Sequence, residues 1–119
     1  VKSVAFVFSH MPYGTSSGLE GLNAALAVGR LNKNLGIFFI GDGILQLYPD
    51  QHPEIILNRH YYSTFYVLKL YGIKKYYLCF DSLVERGLSV KEFHLLDVNI
   101  VDSKTIKKQL VSYDHVLTF

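Results

Sequence analysis

The chain has a single cysteine, Cys79, among its 119 residues. That excludes an internal disulfide and a Cys-x-x-Cys dithiol pair, and it fits a reducing compartment. Charge is scarce as well: only 18% of residues are Asp, Glu, Lys or Arg, and the net charge is +2. No Lys/Arg stripe is present, so electrostatics gives no argument for direct nucleic-acid binding. The five histidines, His10, His52, His60, His94 and His115, stand too far apart for metal-ligand spacing, and no metal or other cofactor is implied. No apolar run approaches the ~20 residues that span a bilayer. The N-terminus enters an apolar strand at once, with no basic segment and cleavage site ahead of it. The expectation is a cytoplasmic domain without a membrane anchor.

Apolar side chains, by contrast, are abundant. Hydrophobic residues make up 50% of the chain, with nine Tyr and eight Phe. A chain of this length forms one domain, here residues 1–119, and so small a domain has an unfavourable surface-to-volume ratio. Apolar surface beyond what one small core can hide implies a partner chain.

The apolar runs fall into a regular order. Ser3–Phe8 and Leu35–Ile40 are short and continuous, as in strands buried on both faces. Tyr76–Cys79 is a third, and it runs straight into a helix. Val98–Val101 and Val116–Phe119 complete five strands. Between the first two, Leu19, Leu22, Ala25, Leu26 and Gly29 recur at helical spacing over Gly18–Leu31. Thr15, Ser16 or Ser17 caps that helix, with Glu20 as the capping-box partner of Ser17. Gly41-Asp42-Gly43 predicts a tight turn, Asp42 being a turn residue, and Ile44–Leu47 a short helical segment. Pro53–Leu57 suggests another helical turn. Ser82 and Glu85 read as a second capping box, Gly87 as a helix stop, and Ser103 as the cap of a helix through Val111 on Ile106, Leu110 and Val111. Tyr61–Tyr71 is apolar around nearly its whole circumference and ends at Gly72. Such a helix needs cover on two sides, by the core and by another subunit, unless its tyrosine hydroxyls simply face water. The alternation predicts a three-layer α/β fold: a mostly parallel five-stranded sheet with helices on both faces.

In such sheets, ligand sites lie beyond the carboxyl ends of the strands. That edge collects Ser9–Thr15, Gly41–Gly43 and Cys79–Ser82. A thiol where a strand hands over to a helix N-terminus is placed to become a thiolate, helped by free amides and by Arg86. Asp81 opposes this, and the same position suits an inert buried thiol. His10 is a candidate base, or a bystander. The loop Ser9–Ser17 offers hydroxyls and amides to an anion, and flavodoxin-like alternation leaves a flavin or nucleotide module open. Yet the loop is neither Gly-x-x-x-x-Gly-Lys-Ser/Thr nor Gly-x-Gly-x-x-Gly.

Several of these stretches together resemble the DsrE/DsrF/Tus sulfur-relay family, on its DsrF-like side. They are Val4-Ala-Phe-Val-Phe-Ser9, Pro12-x-Gly14-Thr15, Gly18-x-Glu20-Gly21-Leu22, Phe38-Phe-Ile-x-Asp42-Gly43, Gln46-Leu47, Cys79 with Ser82-Leu-x-Glu-Arg-Gly-Leu88, and Tyr113-Asp114. The resemblance implies a heterohexamer with DsrE-like (TusD) and DsrH-like (TusB) partners, two copies of each subunit. It implies relay of persulfide sulfur from a TusA-type donor to a TusE-type acceptor, for 2-thiolation of the wobble uridine of certain tRNAs. Cys79 corresponds in position to the family's sulfur-accepting cysteine, which belongs to the DsrE-like subunit. The resemblance makes this chain chiefly an assembly subunit, with Cys79 as its candidate persulfide site.

Overall fold

The structure, a computed structural model, describes residues 2–10, 17–47, 67–90 and 98–119, and for residues 17–19 the backbone alone. Five parallel strands form one sheet: β1 (Val4–Phe8), β2 (Leu35–Phe39), β3 (Lys75–Cys79), β4 (Asn99–Val101) and β5 (His115–Thr118). Their order across the sheet is β4-β3-β2-β1-β5. The three apolar runs become the three central strands. All five residues of β2 are buried, as expected of a strand covered on both faces.

Helices cover both faces. Helix α1 (Ser17–Gly29) lies on one, where Leu22 and Ala25 meet Phe6, Phe8, Ile37 and Phe39. A shorter helix, α3 (Ser103–Val111), lies on the other, where Ile106 and Leu110 meet Ala5, Val7, Phe38 and Cys79. Each fully buried Phe contributes about 1.5–3 kcal/mol of transfer free energy. Between β3 and β4 runs the short helix α2 (Phe80–Glu85), which ends before Gly87 at φ +63°. Residues 67–70 are helical and end at Gly72, φ +87°. They are the last turn of the helix expected over Tyr61–Tyr71. The rest of that helix, the Pro53–Leu57 turn and residues 11–16 of the Ser9–Ser17 loop lie outside the described residues.

Four local expectations change. The turn at Gly41 and the segment after it form one 3-10 helix, Gly41–Leu47. Helix α2 begins at Phe80 with Cys79 at its cap position, so Ser82 sits inside the helix and caps nothing. Its hydroxyl accepts a hydrogen bond from the Gly41 N–H at 2.8 Å, and a distant backbone donor outcompetes the local one. Helix α3 is capped by Asp102, whose carboxylate accepts from the Thr105 N–H at 2.8 Å, and Ser103 is its first residue. Val111 points outward, 86% exposed, because α3 meets the sheet only along the Ile106–Leu110 line.

Candidate functional site

The expected carboxyl edge assembles from Ser9, His10, Gly41–Gly43 and Cys79–Ser82, residues 11–15 lying outside the described residues. Ile40 donates to the Phe8 carbonyl at 3.0 Å, which brings the ends of β1 and β2 level. Two glycines make the next step possible. Gly41 adopts φ +53°, a left-handed conformation that a side chain disfavours. Gly43 presses its Cα onto the Phe8 carbonyl, where no Cβ fits. The Gly41 N–H then reaches Ser82, and Asp42 meets Arg86. The guanidinium donates to Asp42 Oδ1 from Nη2 at 2.8 Å and from Nε at 3.1 Å, and Nη1 donates to the Ser82 carbonyl at 3.0 Å. Asp42 is therefore more than a turn residue. Arg86 is committed to Asp42 and Ser82, so its expected support of a Cys79 thiolate is not seen.

Cys79 ends β3 on the α3 face. Only 4% of it is exposed, and it packs with Ile106 and Val101. A cavity of about 490 Å³ opens between α2 and α3 and includes Cys79 in its wall, with Asp81, Glu85, Ser103, Ile106 and Lys107. Two acids and one base line it. Asp81 accepts from the Ser103 hydroxyl at 2.7 Å and from the Ser103 N–H at 3.4 Å. That bond ties α2 to the start of α3. A helix of six residues, moreover, adds few peptide dipoles to help a thiolate.

At the same edge, the His10 ring nitrogen Nδ1 lies 3.4 Å from the Ser9 hydroxyl, and the His10 carbonyl accepts from Gln46 Nε2 at 3.0 Å. Gln46 is fully buried and its Oε1 has no partner among the described residues. The described residues contain no grouping of His, Cys, Asp and Glu able to hold a metal. None of the described helices is long and apolar enough to cross a membrane.

A second cavity, which sequence reasoning missed, lies at the opposite end of α3. It measures about 410 Å³ and is lined by Asn34, Lys75, Tyr77, Gln109 and Tyr113, among others. Tyr77 stacks on Phe38 at 4.8 Å, and Tyr113 meets the same ring edge-on at 5.6 Å. The Tyr113 hydroxyl lies against Gly36, where a Cβ would displace it. The motif Tyr113-Asp114 was the one signal for this region. Asp114 works locally: its carboxylate accepts from the Ser3 N–H at 2.8 Å and the Ser3 hydroxyl at 3.2 Å, fastening β5 to β1.

Comparison with known proteins gives a consistent result. A family model described as DsrE/DsrF-like matches residues 2–119. Protein TusC of Buchnera aphidicola subsp. Acyrthosiphon pisum (strain Tuc7) is 46% identical over 119 residues, covering all of both chains. The crystal structure of the ychN protein from E. coli superposes with a TM-score of 0.80 at 25% identity, again over all of both chains.

Proposed function

The chain belongs to the DsrE/DsrF-like family, and from that premise we propose that it is the DsrF-like subunit of a TusBCD-type sulfur-relay complex in the cytoplasm. In this reading residues 1–119 form one DsrE/DsrF-like domain. It assembles with TusB-like and TusD-like subunits, two copies of each, into a heterohexamer. The complex takes persulfide sulfur from a TusA-like donor and passes it to a TusE-like acceptor. It serves 2-thiolation of the wobble uridine of tRNAs, which becomes 5-methylaminomethyl-2-thiouridine, without this chain contacting the tRNA itself.

This chain contributes assembly more than chemistry. One contrast carries that reading: the thiol is 4% exposed, while Leu31, Leu70 and Val111 stand 92%, 70% and 86% exposed. Exposed apolar side chains mark an interaction surface where they join into a contiguous patch. Co-expression with a DsrE-like partner is therefore expected to turn a poorly soluble or self-associating chain into a well-behaved complex. Cys79→Ser in that complex is expected to leave tRNA thiolation intact. A well-behaved monomer indifferent to such partners contradicts the reading.

The cavity beside Cys79 supports a second reading, in which this thiol carries sulfur itself. Its thiolate would attack the outer sulfur of a donor persulfide. A new S–S bond forms on Cys79, the donor S–S bond breaks, and the donor leaves as a thiolate. Mass spectrometry after exposure to a persulfide donor tests it: an unmodified Cys79 rejects it.

A further inference from the structure

His10 stands exposed at the carboxyl edge, yet contacts from two directions hold it. Gln46 is fully buried, and its Nε2 donates to the His10 carbonyl at 3.0 Å. A buried amide is costly unless it is bonded, so this bond fixes the His10 backbone. The ring is held through Ser9. The Phe119 carbonyl accepts from the Ser9 N–H at 2.7 Å and from the Ser9 hydroxyl at 3.2 Å. Phe119 is itself anchored. Its N–H donates to the Val7 carbonyl at 2.7 Å, and its ring lies by Phe6 and Phe8 in space that a side chain on Gly21 would fill.

The Ser9 Oγ also lies 3.4 Å from His10 Nδ1. A hydroxyl has one proton and two lone pairs. With its proton on the Phe119 carbonyl, Oγ has only lone pairs to offer, and Nδ1 must supply the hydrogen. The reverse arrangement puts the hydroxyl proton on Nδ1. It leaves Oγ and the Phe119 oxygen facing each other at 3.2 Å with no proton between them. Only the first arrangement satisfies both contacts.

We propose that Ser9 and Phe119 fix neutral His10 in its Nδ1–H form, so that the carboxyl edge presents Nε2 as a proton acceptor. Nε2 bonds to nothing among the described residues, and a hydrogen-bond donor carried by another molecule is the group that fits it. Cys79 is not that group, because β1 and β3 lie on either side of β2, about 10 Å apart. Ser9, Gln46 and Phe119 act here as positioning residues. The assignment does not depend on the sulfur-relay reading.

Long-range proton–nitrogen NMR on the full chain, at a pH where histidine is neutral, reads the tautomer directly. His10→Gln identifies the His10 signals by their loss. The expected pattern is a protonated Nδ1 and an unprotonated Nε2, the opposite of the form a free imidazole favours. Ser9→Ala removes one hydrogen bond and keeps the backbone bond to Phe119. It should shift the ratio about fivefold toward Nε2–H. Ser9→Thr keeps the hydroxyl and should keep the parent ratio, which a general loosening of the loop would not do. Diethyl pyrocarbonate acylates an exposed ring nitrogen through its lone pair. It should modify His10, read by mass spectrometry, about fivefold more slowly in Ser9→Ala. Nε2–H as the main form in the parent overturns the proposal. So does an unchanged ratio in Ser9→Ala, or a parent His10 that resists the reagent.

Discussion

Helix α3 separates two cavities of similar size on one face of the sheet, about 490 Å³ at its first turn and about 410 Å³ at its last. The first contains the residue to which the sequence draws the eye, Cys79. Yet polar groups in and beside it are spent on one another: Asp81 on Ser103, Ser82 on Gly41, Arg86 on Asp42. The second is lined by no cysteine or histidine, and in its wall Gln109 Oε1 has no partner among the described residues. Chemical interest at a position and readiness to bind there are separate properties. The second depends on which partners the fold has already supplied.

The contrast can be broken most severely at Gly43. Its Cα touches the Phe8 carbonyl, so Gly43→Ala must move backbone. The expected loss is about 3 kcal/mol, read from a urea melt, and the Cys79 edge should loosen with it. Ser82→Ala comes next. It strands the part-buried Gly41 N–H, and the expected cost is about 1–2 kcal/mol. A variant as stable as the parent would show that water replaces the hydroxyl.

Asp81→Asn sharpens the comparison without threatening the fold. Weakening the charge-assisted bond to Ser103 loosens α2 from α3, and alkylation of Cys79 should quicken by about tenfold. An unchanged rate would mean that access is limited elsewhere. Smaller still is Arg86→Gln. The Asp42 side chain of that pair is 52% exposed, so solvent screening holds the loss to about 1 kcal/mol at most.

The smallest effect concerns pH. Hydrogen bonds from the Ser3 N–H and hydroxyl hold the Asp114 carboxyl below its ordinary value of 3.8. Bonds from the Thr105 hydroxyl and N–H do the same for Asp102. A depressed folded-state value gives stability that is complete above 3.8 and is lost as pH falls through the lower folded value. The urea midpoint should therefore drop between about pH 5 and pH 2, and Asp114→Asn should show a shallower drop. An identical slope in that variant would remove the Ser3 contact from the account.

Much of the fold was legible because strand burial is a local composition effect. Val4–Phe8, Leu35–Phe39 and Tyr76–Cys79 are too apolar to lie anywhere but mid-sheet. Gly72 and Gly87 stop helices where expected because a positive φ is a property of one residue. The caps were less legible. Ser82 and Ser103 carry the right side chains, but Gly41 and Asp81, 41 and 22 residues away, claim them. Strand β5 is apolar enough to pass for buried, yet it forms the sheet edge, where Val116 and Leu117 remain 44% and 42% exposed.

The sequence by itself determined the layers: apolar runs and helical periodicity follow from each segment's need to hide its own surface. The tertiary structure alone decided which polar groups meet. Arg86 turned from Cys79 to Asp42, and Lys75, Tyr77, Gln109 and Tyr113 came to one cavity from separate stretches of chain. Hydrogen bonding is short-ranged and directional, so its pairing is settled only once the backbone has placed donor and acceptor within about 3 Å.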